Sequence, residues 1–276
     1  MADTSSTFFK RVASGLLAAA ILLSLIYFQG RNGVLTACVI ATVLGIREFS
    51  RMVFTQWNMP ALLPPFYALI CLCHFALIFM YPAHADALFA GACITFLVSA
   101  IWITRGKVSN ENLWAAIAIG TFGLVYTVLF PSYAVAAARL EDGEKWVLLL
   151  LLVVFFGDIF AYFGGRWFGK HKFMPMISPN KTWEGSLAGL FGSVAAGTVH
   201  VTGFSDVAVW KTMLFCLVCG AVAQSGDLLI SLLKRVAKVK DTGTIMPGHG
   251  GVLDRLDGVF ISCPLVYAFA LYVTQG

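Results

Sequence analysis

The chain has 276 residues, of which 59% are hydrophobic and only 12% charged, with a formal net charge of +5. A soluble globular domain carries about 25% charged residues, so this composition excludes an ordinary soluble enzyme and makes lipid the solvent. The seven cysteines all fall in apolar runs, where cysteine acts as a small hydrophobe. The Cys216–Cys219 and Cys71–Cys73–His74 spacings lack the second ligand pair of a zinc site, and no disulfide framework is implied.

Lys10 and Arg11 precede the first apolar run, at 12–28. No small-residue cleavage site follows, and another apolar run begins near Gly33, so an uncleaved first span is expected instead of a signal peptide. A bilayer-crossing helix needs about 20 mostly apolar residues. Further spans are predicted over 33–49, 61–80, 86–104, 114–130, 146–164, 185–201, 211–233 and 251–273. Pro64 and Pro65 stand near the start of the third span, where proline costs a helix least. The run 131–140 is left open as a short surface helix. The expected fold class is all-α: a polytopic integral membrane protein of about nine transmembrane helices. Residues 1–140 form the N-terminal spans and 141–276 a catalytic region. With the N-terminus cytoplasmic, every one of the 19 Lys and Arg residues except Arg31, Arg139, Lys145 and Lys211 falls on the inside, as the positive-inside rule requires. The two longest polar stretches, 166–184 and 234–250, then face the cytoplasm, where nucleotides are found.

Chemistry-bearing residues begin at Asp158, which shares a helix face with Tyr162 and Gly165 near a span's cytoplasmic end. The loop beyond offers Ser178, Asn180, Lys181 and Thr182 as donors to a phosphate or a nucleobase. The same stretch reads as a helix start, with Thr182 or Ser178 as cap and Glu184 in the first turn, and both readings hold together. Asp227 lies inside an apolar run, where an ionised acid is costly unless it is paired, solvated or bound to a cation. Asp227, Ser231 and Lys234 share one helix face, either as a reactive surface or as an Asp–Lys pair packed between helices. The stretch 238–251 is a loop by its glycine and proline content. Its glycines let backbone N–H groups approach phosphates, and its lysines add charge. Anionic headgroups would explain the lysines but not His249 set among glycines. Asp254 and Asp257, three apart, are expected to point to one side of the next helix. Oxygen-only ligands completed by substrate phosphates suit Mg²⁺. A solvated helix start would account for one such acid, but not for two beside an intramembrane aspartate.

Ser231, Lys234-Arg235, Lys240-Asp241, Pro247-Gly248-His249-Gly250-Gly251 and Asp254-Arg255-Leu256-Asp257 fill a long signature. In these residues the chain resembles the phosphatidate cytidylyltransferases, also called CDP-diacylglycerol synthases. Asp158, Gly165-Arg166 and the run from Ser178 to Gly185 are similar to that family as well, so the resemblance covers roughly residues 155–260. It implies that CTP and phosphatidate give CDP-diacylglycerol and pyrophosphate, with Mg²⁺ as cofactor, as one ion or two. On this resemblance the catalytic set is Asp227, Lys234, Arg235, His249, Asp254 and Arg255. Ser178, Asn180, Lys181, Thr182, Lys240 and Asp241 bind substrate, and Asp227, Asp254 and Asp257 hold metal. The expected partners are CTP, phosphatidate, the lipid bilayer and a second copy of the chain as a homodimer, with no nucleic acid. The expected location is the cell inner membrane.

Two relatives in chemistry, an ether-lipid cytidylyltransferase and a polyprenol kinase, share this site logic and differ in the lipid. An ion-coupled transporter would use Asp158 and Asp227 as ion carriers. Against it, the polar residues gather at one membrane face and no internal repeat is evident. A membrane scaffold without catalysis leaves the cluster from Asp227 to Asp257 unexplained.

Overall fold

Apolar runs of this length satisfy their backbone polar groups in lipid only by coiling into helices. The computed structural model describes residues 20–54, 59–245 and 250–275. Residues 12–19 of the first expected span lie outside the described residues, together with Lys10 and Arg11. In chain order the helices are α1 (Ala20–Gln29), α2 (Arg31–Phe54), α3 (Leu63–Met80), α4 (Ala85–Thr104), α5 (Asn110–Ala138), α6 (Gly143–Phe168), α7 (Trp183–Thr202), α8 (Val209–Val236) and α9 (Leu253–Gln275). Seven of the described helices are long and apolar enough to cross a membrane: α2, α3, α4 with its short 3₁₀ lead-in, α5, α6, α8 and α9. Helix α7, over the span predicted at 185–201, is not among them. Its run of Gly185, Gly189, Gly192 and Gly197 with Ser186, Ser193 and His200 dilutes its apolar content. Its outer face is nevertheless greasy, with Leu187, Phe191 and Val199 all exposed.

The local signals act as expected. Pro64 and Pro65 occupy the first turn of α3. Ser109 caps α5 by accepting from the Asn112 N–H. The open stretch 131–140 proves to be no separate surface helix. It continues α5 through a π-helical turn at Val125–Leu129, and Ala134, Val135, Ala137 and Ala138 are buried.

By internal packing the chain divides into two compact units, Met1–Val135 with Leu233–Leu256, and Ala136–Leu232 with Asp257–Gly276. The core of the first is aromatic. Tyr67 meets Phe54 and Phe96 edge-on, with ring centroids 5.1 and 5.0 Å apart. Its hydroxyl donates to the Gly120 carbonyl at 2.8 Å, which satisfies the buried phenol. In the second unit, α6 and α7 approach closely because small residues face each other, the usual basis of helix pairing in lipid. A Cβ on Gly189 would lie 2.9 Å from the Gly157 carbonyl, and the Ser193 hydroxyl donates to the Val153 carbonyl at 2.8 Å. Trp146 closes this core edge-on against Phe204 and Phe269.

One feature departs from an all-helical chain. Between α6 and α7 lies an antiparallel hairpin, β1 (Lys172–Met174) with β2 (Ser178–Thr182), pairing Lys172 with Thr182 and Met174 with Ser178. Its base is tied to α7. Thr182 caps that helix by accepting from the Gly185 N–H at 3.2 Å. The Glu184 carboxylate accepts from the Lys170 and His171 backbone N–H groups and from His171 Nδ1 at 2.6 Å. Its own backbone N–H, then the His171 ring and the two further N–H groups, lower the Glu184 carboxyl from 4.5 to about 2, against a smaller opposing effect of desolvation. A carboxyl lowered in the folded state supports it fully above the unfolded value and loses that support as pH falls through the folded one. The Lys170 and His171 amides are therefore expected to keep their protection at pH 5 and to lose it between 4.5 and about 2, read by amide exchange. Protection already lost at pH 5 would contradict the anchor.

Candidate active site

In the first unit the chemistry gathers at the start of α9. A helix N-terminus exposes backbone N–H groups that lack partners within the helix, and here two acids supply them. Asp254 Oδ2 accepts from the Gly251 N–H at 3.0 Å, in the manner of the acid in a capping box, and from the Thr242 N–H at 2.8 Å. Asp254 Oδ1 is paired with Lys234 Nζ at 2.6 Å. The pair is largely buried, with side-chain exposures of 16% for Lys234 and 4% for Asp254. Glu48, from the middle of α2, accepts from the Val252 N–H at 3.0 Å and the Leu253 N–H at 2.8 Å. The Thr242 hydroxyl stands 3.0 Å from both Glu48 Oε2 and Asp254 Oδ2. The chain passes this knot only on glycine. Gly250 adopts φ +83°, and a Cβ on Gly251 would run into Glu48 Oε2 and Thr242 Oγ1.

In the second unit a carboxyl cluster forms around α8. Lys181, from β2, pairs with Asp227 Oδ2 at 2.6 Å and reaches the Gln224 carbonyl at 3.4 Å. Ser231 donates to Asp227 Oδ1 at 3.3 Å. Gln224 is itself held by Ser186, through its side-chain amide to the Ser186 carbonyl at 3.0 Å and through the Ser186 hydroxyl. Asp257 is buried and feels the charges of the Asp227 and Asp158 carboxyls. Its Oδ1 also accepts from the Gly258 N–H at 2.8 Å. Three carboxyls this close repel one another unless a proton or a cation lies among them.

These contacts revise several expectations. The Asp–Lys pair anticipated on α8 exists with its partners exchanged: Lys181 serves Asp227, and Lys234 serves Asp254. Asp254 and Asp257, expected to act side by side, have different partners, the N–H groups and lysine of one unit for Asp254 and the carboxyls of the other for Asp257. Ser178 and Asn180 sit on β2, with Asn180 exposed, while Thr182 is buried as a cap. Arg235, Lys240, Asp241 and Arg255 are exposed. His249 lies outside the described residues. Among the described residues, no group of three or more His, Cys, Asp or Glu side chains is arranged as a ready metal cage. Glu48, Thr242 and Gln224 were not foreseen. A signal for Glu48 was present, since an acid inside an apolar span marks a functional position by default.

A family profile described as the cytidylyltransferase family matches residues 9–273 of the chain. The phosphatidate cytidylyltransferase of Brucella abortus is 42% identical over 149 residues, which cover 53% of this chain and 55% of that protein. That of Mycobacterium bovis is 34% identical over 159 residues, 58% of this chain and 52% of the relative. That of Staphylococcus haemolyticus is 39% identical over 181 residues, 58% of this chain and 69% of the relative. The match thus spans about half the length of the first two relatives.

Proposed function

The chain belongs to the cytidylyltransferase family, and from that premise we propose that it transfers the cytidylyl group of CTP to phosphatidate, giving CDP-diacylglycerol and pyrophosphate. The observation that carries the proposal is the Lys181–Asp227 ion pair at 2.6 Å, whose carboxylate acts on the charge of the buried Asp257. A carboxyl cluster of this kind, with a lysine at its edge, suits a reaction between two anions. In the reaction a phosphatidate oxygen attacks the α-phosphorus of CTP, the bond from that phosphorus to the bridging oxygen breaks, and pyrophosphate leaves with the electron pair. A phosphate dianion is already a nucleophile, so no general base is required.

The donor set fits Mg²⁺ in its chemistry, being all oxygen. Asp227 and Asp257 would hold the ion, with Asp158 adjacent. The ion would shield the repulsion between reactants and the charge on the leaving pyrophosphate. Lys181, beside Asp227, would meet the nucleotide's phosphates, with Ser178 and Asn180 on the same strand. Lys234, Arg235, Lys240 and Arg255 bind phosphate groups beside Asp241, and His249 donates to one of them. The charge bias supports a cytoplasmic position for these residues, and the membrane we propose is the cell inner membrane. The same bias supports reading α7 and the run 12–28 as further spans, for a proposed total of about nine with the N-terminus inside. A homodimer is the family's expected assembly.

The test is product analysis with purified protein in liposomes, given CTP, Mg²⁺ and one lipid phosphate at a time. Phosphatidate should release pyrophosphate in step with a cytidylylated lipid. Turnover on an ether-lipid phosphate alone would replace the substrate, and no pyrophosphate with any lipid would remove the enzymatic reading.

A further inference from the structure

We infer that Glu48 is a positioning residue for the reaction: it fixes the start of α9 and, through Thr242, the carboxylate of Asp254. The inference rests on the function proposed above. Glu48 lies in a membrane-spanning helix, 194 to 205 residues away in sequence from its partners, and is 3% exposed. A carboxylate buried in this way is costly unless hydrogen bonds replace its water. Here the replacements are the Val252 and Leu253 N–H groups and the Thr242 hydroxyl. The partial positive charge of a helix start favours an anion at that place.

The link to Asp254 is specific. A threonine hydroxyl has one proton to donate, and Thr242 Oγ1 stands 3.0 Å from a carboxylate oxygen of each acid. When Asp254 gains another partner, the proton is free to serve Glu48, so the hydroxyl orients the two carboxylates against each other. Glu48 thus joins a span of the N-terminal half to residues 242–253 of the signature stretch. The glycines at 243 and 251 leave Glu48 the space to do so, since a Cβ at either position would run into its carboxylate.

Glu48→Gln keeps the shape but turns an amide NH₂ toward one of the two backbone donors. A displacement of about 1 Å at a reacting group costs on the order of 100-fold in rate. The variant should therefore lower kcat by about that factor while KM for CTP moves less than about threefold, the pattern of an interaction expressed in the transition state. Glu48→Asp, which keeps the charge, should recover part of the loss. Amide exchange at Val252 and Leu253 in Glu48→Gln should be at least about tenfold faster, with the rest of α2 unchanged. Faster exchange with normal kcat would reduce Glu48 to an anchor of the fold, and unchanged exchange would overturn the inference outright. Wild-type protein that makes no cytidylylated lipid would sink the functional proposal instead, and the exchange result would still decide the anchoring. Should Glu48→Gln fail to fold, Thr242→Val removes only the shared hydroxyl. It should lower kcat about tenfold with Val252 and Leu253 still protected, and unchanged kcat there would refute the coupling.

Discussion

Replacing Asp227 with Asn is expected to lower turnover by about 1000-fold or more, the scale on which loss of a preorganised charge in a reaction site is felt. The substitution keeps the shape and the hydrogen bond from Ser231, but removes the charge that faces Lys181 and Asp257. Stability should hold. The ion pair with Lys181 is about a third exposed on the aspartate side, and pairs this wet contribute about 0–1 kcal/mol. Relief of repulsion from Asp257 acts in the opposite direction. The measurement is the rate of pyrophosphate release beside a melting curve in detergent. Near-normal rate in a folded variant would take Asp227 out of the chemistry and leave the cluster a packing feature.

Lys234→Met is the second change with a large expected effect, and its signature is the opposite one. Asp254 is 4% exposed, and removing its ammonium partner leaves a buried charge with backbone and hydroxyl donors alone. Breaking one side of a buried pair costs about 3–5 kcal/mol, and the three remaining hydrogen bonds to Asp254 place this case at the lower end. The midpoint of denaturation in detergent should fall accordingly, and activity should be lost with it. The double variant Lys234→Met with Asp254→Asn should regain most of the stability and none of the activity, a non-additivity that identifies the pair. A single variant as stable as the wild type would show that Asp254 does not depend on Lys234.

The membrane architecture was legible because hydropathy and length decide it, and seven predicted spans are helices long and apolar enough to cross. The site was legible in its residues but not in its pairings. Spacing of three and four places Asp227, Ser231 and Lys234 on one helix face, yet the chain brings Lys181 to Asp227 from β2, and no local spacing encodes that. The hairpin was hidden because a three-residue strand is too short to show alternation. It forms because Glu184 gathers the N–H groups of Lys170 and His171, the Trp183 N–H donates to the His171 carbonyl, and Phe173 packs edge-on to Trp183 at 4.4 Å. Glu48 was missed for a related reason. Its role depends on contacts with residues 242 to 253, about 200 residues away, and no local spacing encodes those.

The most direct test of the central claim follows the phosphorus atoms of CTP. Protein in phosphatidate-containing liposomes is given CTP labelled at the α-phosphorus in one reaction and at the γ-phosphorus in another. The account predicts that the α label enters the lipid and the γ label leaves as pyrophosphate. Appearance of the γ label in the lipid would mean phosphoryl transfer of the kinase type and would contradict it.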